Sequence, residues 1–301
     1  DVIVDGLRVE QERGVNPFKL GFIGATDAHL SNPGDVEEDD YRGQLGIPDD
    51  TPQKRLAAGG GQGQARGGDG GWGFGGPTKF SPGGLAGVWA EENTRESIWD
   101  ALARRETFGT SGPRIRVRFF GGFELPADLH DDRDVVRIGY ERGVAMGGDL
   151  TAAPSGEAPR FVVWATRDPN SAPLQKLQVV KGWIENGESA SRTYDVACSD
   201  GITADPATGL CRDNGATVDL ETCAITPGRG ATELATTWTD PDFDPNTPSV
   251  YYVRVLENPV CRWSTYDALG SNASVSPYVP PTIKERAWTS PIWYTPSAAS
   301  R

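Results

Sequence analysis

The run of residues 19–26 constrains the fold most strongly, because it is a short apolar segment with breaks on both sides. Pro17 precedes it, and an Asn-Pro-Gly turn follows at 32–34. A short, mostly apolar run between turn residues is typical of a buried strand in a parallel sheet. The sequence therefore predicts a strand that ends at Asp27, in an α/β unit whose helix covers residues 1–14.

Asp27 and His29 stand together at the carboxyl end of that predicted strand. Residues i and i+2 of a strand point the same way, so a carboxylate and an imidazole can converge on one ion. This donor pair suits a divalent metal such as Zn, Mn or Fe. The alternative is an acidic residue before a helix, followed by a surface histidine. We expect Asp27 and His29 to be metal ligands that face a common cavity.

Several segments together resemble one known family. Residues 24–29 have the form Gly-(Ala/Ser)-(Thr/Ser)-Asp-x-His after an apolar run, which resembles the last metal-ligand motif of the PHP (polymerase and histidinol phosphatase) superfamily of metal-dependent hydrolases. More specifically, the chain is similar to the C-terminal part of a DUF3604 protein. The segments that carry this resemblance are 14–19, 24–29, 82–85, 88–96, 105–114, 251–259 and 285–294.

The resemblance implies a PHP-like distorted α/β barrel and a metal-dependent hydrolase, with phosphoesters the most familiar substrates of that superfamily. It also implies that further metal-binding histidines come from earlier strands of the barrel. This chain holds only His29 and His130. We therefore expect an upstream segment or a second chain to complete the barrel, and we expect the helix 1–14 to find no partner within this chain.

A second strand and helix are predicted after residue 84. The strand covers 85–90, and Asn93 and Glu96 resemble a capping box that opens the helix. Trp99 and Leu102 lie on the apolar face of that helix, which predicts that they are packed against the sheet.

Glu91, Glu92 and Arg114 are weak catalytic candidates. The two glutamates follow the predicted strand, on the same edge as Asp27 and His29 if the strands are parallel neighbours. One of them could then act as an acid or support a ligand, whereas the simpler interpretation is favourable charge before a helix N-terminus. Arg114 could hold an anionic group of a small-molecule substrate, although solvated arginines are the usual case.

Two loops after His29 each allow two interpretations. Residues 59–76 contain eleven glycines in eighteen positions, and they lack the lysine and strand–helix context of a phosphate-binding loop. This glycine-rich loop is either an idle flexible connection or a lid. The acidic run 35–40 is either a solvated loop or a second set of cation ligands.

The pattern changes near Pro113, where apolar and arginine residues alternate over 114–119. Strict alternation predicts a strand with one solvated face. We therefore expect an α/β part followed by an all-β part: residues 1–112 as the C-terminal part of the barrel, and 113–301 as an antiparallel β-sandwich. Further strands are predicted at 135–140, 160–166, 175–181, 250–256 and 290–294.

A calcium-loop pattern occurs within the all-β part, at Asp240, Asp242 and Asp244. Pro245 stands where an EF-hand loop needs glycine, which excludes that motif. A calcium site of another kind stays an alternative.

The four cysteines all lie in the turn-rich C-terminal half, and none forms a C-x-x-C pair. This spacing argues against a zinc knuckle. An even number in such a region favours disulfides and a secreted or periplasmic location, with four reduced, buried cysteines as the alternative. Of the three possible pairings we favour Cys198–Cys211 and Cys223–Cys261.

The net charge of −13 argues against nucleic-acid or anionic-membrane partners, because phosphate groups need basic patches. No apolar run approaches the length of a membrane span. The rival to a hydrolase is a secreted, non-catalytic binding or assembly protein with a degenerate barrel. Nine Trp and eight Tyr would serve its contacts. The composition leaves a homo-oligomer open.

Overall fold

The computed structural model describes residues 2–56, 80–151, 157–271, 273, 275 and 279–296. The predicted glycine-rich loop at 59–76 lies outside these residues. The helices are α1 (Val2–Arg13), α2 (Pro52–Leu56), α3 (Arg95–Ala103), α4 (Val135–Arg142) and α5 (Trp263–Ser271). The strands are β1 (Leu85–Val88), β2 (Thr107–Thr110), β3 (Arg116–Gly122), β4 (Val144–Ala145), β5 (Asp149–Thr151), β6 (Arg160–Thr166), β7 (Leu174–Glu185), β8 (Glu188–Cys198), β9 (Glu233–Thr239), β10 (Ser249–Cys261), β11 (Thr282–Thr289) and β12 (Ile292–Thr295).

The strands form two sheets around a shared core. The larger sheet has the order β1-β2-β11-β10-β12-β5, and β7 and β8 extend it from the other edge of β10. The smaller sheet has the order β4-β3-β6-β9 and is antiparallel throughout. The core holds fully buried side chains from both sheets, such as Phe119, Phe161 and Tyr251. The predicted mixture of helices and sheets is confirmed, and most of the regular structure is sheet.

Alternation explains the start of strand β3. Val117 and Phe119 are buried there, while Arg116 and Arg118 are more exposed, as expected when one face of a strand meets the core. The predictions over 160–166, 175–181, 250–256 and 290–294 agree with β6, β7, β10 and β12.

The strand prediction over 135–140 is wrong, because these residues form helix α4. Val135, Val136 and Ile138 pack on a small cluster that contains Phe120 and Leu125. A short run of β-branched residues fits a strand and a helix face equally well, so periodicity alone could not separate the two.

The expectation that the N-terminal helix has no partner is also wrong. The helix itself is confirmed, as α1. Its buried face, Ile3, Val4 and Leu7, packs on Val250 and Trp293 of the larger sheet. The helix therefore covers apolar sheet surface, and this burial accounts for its position.

Residues 19–26 do not form the predicted buried strand. They are extended, but exposed and half-buried residues alternate along them, and Ile23 is 62% exposed. Two backbone hydrogen bonds connect them to the start of β1, from Gly24 N to Leu85 O (3.2 Å) and from Gly84 N to Ala25 O (2.9 Å). The prediction failed because apolar content indicated burial, whereas Leu20 and Ile23 of this segment are exposed.

The described residues close no barrel. Strands β1 and β2 pair with each other in an antiparallel arrangement, and β2 joins the larger sheet through β11. The larger sheet thus contains strands from both sides of the predicted division between 1–112 and 113–301. The division into two domains stays a prediction.

Two disulfides close loops in the C-terminal half. Cys198–Cys211 joins the end of β8 to the loop that follows it, and Cys223–Cys261 attaches a later loop to the end of β10. This is the favoured pairing. Within the described ranges, no helix has the length and apolar character that crossing a membrane requires.

Candidate functional site

Hydrogen bonds to its backbone atoms hold the segment from Asp27 to His29 in place. Gln44 donates from Nε2 to the carbonyl oxygens of Asp27 and of Thr26, the latter at 3.3 Å, and its own carbonyl accepts from the backbone N–H of His29 at 2.9 Å. Asp27 has a φ of 52°, a left-handed conformation that costs energy unless neighbours hold it. The side chains of Asp27 and His29 are both exposed.

A series of hydrogen-bonded polar side chains holds Gln44 in place. Asp49 is fully buried, and its carboxylate accepts from the backbone N–H groups of Gln44 (2.6 Å) and Leu45 (2.8 Å). Arg55 donates to the Asp49 carbonyl at 3.2 Å and pairs with both carboxylate oxygens of Asp267 in α5, at 2.7 and 2.8 Å. Because these groups are buried and bonded to one another, the backbone of Asp27 and His29 has little freedom to move.

A carboxylate and an imidazole fit a divalent metal in donor chemistry, but they do not make a complete site. Structural and catalytic metals usually take three or more protein ligands. Among the described residues, the one cluster of three potential ligands consists of Asp195, Cys198 and Cys211, and its two cysteines are joined in a disulfide. Within the described residues, no third His, Cys, Asp or Glu side chain therefore lies within chelating distance of both Asp27 and His29.

The acidic run 35–40 contributes to a cavity of about 540 Å³, which we call the acidic cavity. It lies between this loop, the start of the all-β part and the strands β10 and β11. The lining side chains used below are Val36, Glu37, Glu38, Arg114, Asp168, Ser171, Ile225, Val260, Tyr266 and Glu285.

Three glutamates in or behind the wall of this cavity have raised pKa values: Glu257 and Glu285 are buried, and Glu38 is half-buried. Burial raises the pKa of Glu38 to about 8, and the charge of Glu285 adds to the shift. Burial likewise raises the pKa of Glu285 to about 7 and that of Glu257 to about 8, and Glu285 repels Glu257 as well. Buried carboxylates without enough opposite charge hold their protons to higher pH.

The comparisons with known proteins identify the chain at the level of family. The model of the family described as "Protein of unknown function (DUF3604)" matches residues 1–296. The chain belongs to the DUF3604 family. No curated protein and no solved structure matches this DUF3604 chain.

The weak catalytic candidates of the DUF3604 chain lie apart from one another. Arg114 lines the acidic cavity, and its guanidinium pairs with Glu37 at 3.1 Å. Glu91 is exposed and lines a different cavity of about 790 Å³, beside Trp89. Glu92 is exposed, and its backbone N–H donates to Ser97 near the start of α3. A catalytic role for any of these three stays a prediction.

Sequence reasoning missed the buried glutamates, although the sequence carries a signal for two of them. In β10, Glu257 has the same alternation phase as the core residues Tyr251, Val253 and Val255. In β11, Glu285 has the phase of the buried Ala287. A glutamate at an apolar position of an alternating strand is unusual enough to indicate a site.

Proposed function

We propose that the DUF3604 chain forms part of a secreted or periplasmic metal-dependent hydrolase, acting on phosphoesters or related small anionic substrates. Asp27 and His29 supply two ligands to a Zn, Mn or Fe ion. The observation that carries the proposal is the contrast at this motif: its backbone is held from beneath by Gln44, while both side chains are exposed and form no hydrogen bond or ion pair within the described residues.

This contrast is what a preorganised ligand pair requires. A fold that uses a polar side chain for its own stability normally bonds it internally. Here the internal bonds go to the main chain around Asp27 and His29, so both donor groups are left for an external partner. A bound metal would supply an activated water and would polarise the scissile group. The remaining ligands come from outside the described residues.

The two disulfides support the proposed location. Bridges of this kind persist in oxidising compartments and are rare in the cytosol.

The rival function is a secreted binding or assembly protein, and one observation favours it. Trp99 and Leu102 of α3 are 69% and 44% exposed, instead of being packed against the sheet as predicted. An exposed tryptophan beside a leucine suits a protein contact. On this account the Asp27 and His29 side chains remain unused.

The two functions are separated by activity of the full natural protein. We expect hydrolysis of bis-p-nitrophenyl phosphate that a chelator abolishes and that Mn²⁺ or Zn²⁺ restores. His29→Ala should reduce kcat/KM at least about 100-fold, as removing a catalytic metal ligand does. His130→Ala is the matched control, since His130 is half-buried and contacts Thr237. Equal rates for the two variants would contradict the hydrolase proposal.

A further inference from the structure

Four of the five acidic residues that line the acidic cavity fall into two groups. Glu37 pairs with Arg114, and Asp168 accepts backbone N–H bonds from Arg114 (2.7 Å) and Asn170 (2.9 Å). Glu38 and Glu285, in contrast, form no ion pair with a described residue, although Glu38 accepts from the backbone N–H of Trp263. Nearby arginines offset the charge of this second group only in part.

Glu285 has one carboxylate oxygen that can accept a hydrogen bond from a ligand. Its side chain lines the cavity although the residue is only 2% exposed. Ser111 donates to Oε2, and no described residue donates to Oε1. Its Oε1 is therefore open to a partner that enters through the cavity.

Glu257 is a further buried carboxylate, located behind the cavity wall. It is fully buried, its Oε2 accepts from Ser171 in the cavity wall at 2.5 Å, and its Oε1 has no partner among the described residues. Arg262 offsets part of the charge of Glu38, and Arg286 part of the charge of Glu285. Burial and mutual repulsion still outweigh these two cations, because the pKa of each of the three glutamates is raised.

The dimensions and walls of the cavity indicate which kind of cation fits. A volume of about 540 Å³ is far larger than a single ion and is typical of a small-molecule pocket. Within the described residues, no three metal-binding side chains come within chelating distance here. The walls also include the apolar Ile225 and Val260 and the ring of Tyr266. Apolar and aromatic surface beside carboxylates suits an organic ammonium group.

We propose that the acidic cavity binds a small alkylammonium ion, whose charged head pairs with Glu38 and Glu285 and whose stem packs on Ile225 and Val260. This site shares no residue with the proposed metal ligands, so it is independent of the proposed hydrolase activity. Binding at neutral pH releases protons, because the glutamates must ionise to pair with the ammonium group.

Isothermal titration of the full chain with n-butylammonium chloride at pH 7.5 tests the proposal. We expect binding with proton release, seen as a heat that changes with the ionisation enthalpy of the buffer. Glu285→Gln keeps the shape of the side chain and an oxygen for Ser111, and it should weaken binding roughly 10- to 100-fold, the value of a charge-assisted bond. Glu38→Gln should have a similar effect.

One neutral compound and one control variant keep the test decisive. Glu188→Gln, at the exposed start of β8, should leave binding unchanged. 1-Butanol should bind at least about tenfold more weakly than butylammonium, since it lacks the charge. The proposal is overturned if butanol binds equally well, if the folded Glu285→Gln and Glu38→Gln variants bind normally, or if calcium chloride binds and butylammonium does not. Absence of any butylammonium binding overturns it as well.

Discussion

Gln44 is the residue on which the geometry of the candidate metal site depends most. Its side-chain amide and its carbonyl hold the main chain on both sides of Ala28, while Asp49 fixes Gln44 itself. Asp27 in particular has a left-handed backbone that needs such support. The ligand pair therefore owes its position to a residue that touches no ligand atom.

Gln44→Ala should weaken metal binding by the full natural protein about 10- to 100-fold, because supporting contacts of ligands typically contribute that much. The fold should survive, since Asp49 still accepts from the backbone of residues 44 and 45. Metal affinity by competition with a coloured chelator measures the effect. Gln53→Ala, at an exposed position of α2, is the control and should bind normally. Equal affinity of the two variants would show that Gln44 does not position the ligands.

The buried glutamates predict how stability depends on pH. Folding raises the pKa of Glu38 and of Glu257 to about 8 and that of Glu285 to about 7, from an ordinary value of 4.5. Between these limits the folded chain binds more protons than the unfolded chain. The free energy of unfolding should therefore fall as pH rises from about 4.5 to about 8.

Glu257→Gln removes one of these groups without changing its size. It should raise the free energy of unfolding at pH 8.5 by about 1–3 kcal/mol, since it removes a buried, unpaired charge, and have little effect near pH 5. Urea unfolding at the two pH values checks this, with Glu188→Gln as the exposed control. A variant that is destabilised equally at both pH values would contradict the account.

At the scale of elements, the turn after β9 shows how an acidic pattern can serve the fold. Asp240 accepts from Lys181 at 2.6 Å and from Tyr251 at 2.8 Å, and both the lysine and the aspartate are buried. Asp242 pairs with Arg192, and Asp244 bonds within its own turn. Protein donors thus use all three carboxylates, which accounts for the calcium-like spacing without an ion.

Lys181→Met should destabilise the protein by about 3–5 kcal/mol, because it leaves Asp240 charged and buried. Adding Asp240→Asn should recover much of that loss. Thermal and urea unfolding of the single and double variants measure the coupling. Lys54→Met breaks the exposed pair with Asp50 and should cost no more than about 1 kcal/mol. A double variant as unstable as Lys181→Met alone would argue against the pairing.

Local sequence patterns correctly predicted the elements whose pattern fits only one type of secondary structure. Alternation predicted β3, runs between turn residues predicted β6, β7 and β10, and helical spacing with Gly14 at the end predicted α1. The residues 135–140 failed because their short apolar run fits two structures. The cap of α3 also lies one residue later than expected, since Thr94, and not Asn93, accepts from the N–H of Ser97.

Tertiary arrangement could not be predicted from these patterns. Nothing local distinguishes a strand that continues a barrel from β1 and β2, which pair in an antiparallel arrangement and join the larger sheet. Gln44 and Asp49 also carry no motif, because their role arises only when the loop folds back on Asp27. The site was therefore predictable as a ligand pair, but its support was not.

For the whole molecule, the larger sheet links the region with Asp27 and His29 to the C-terminal half. Arg55 reaches Asp267 of α5, and α1 packs on β10 and β12. The ligand pair is thus carried by a framework that extends over most of the described chain. Loss of one exposed ligand should leave this framework intact, so effects on metal binding and on folding can be measured separately.

The central claim is that Asp27 and His29 bind a metal ion. The most direct measurement is the metal content of the full natural protein after dialysis, determined by mass spectrometry for the native protein and for the His29→Ala and His130→Ala variants. We predict retained Zn, Mn or Fe in the native protein and in His130→Ala, and loss of most of it in His29→Ala, whose thermal stability should equal that of the metal-free native protein. Metal retained equally by both variants, or by none of the three proteins after incubation with each ion, would contradict the account.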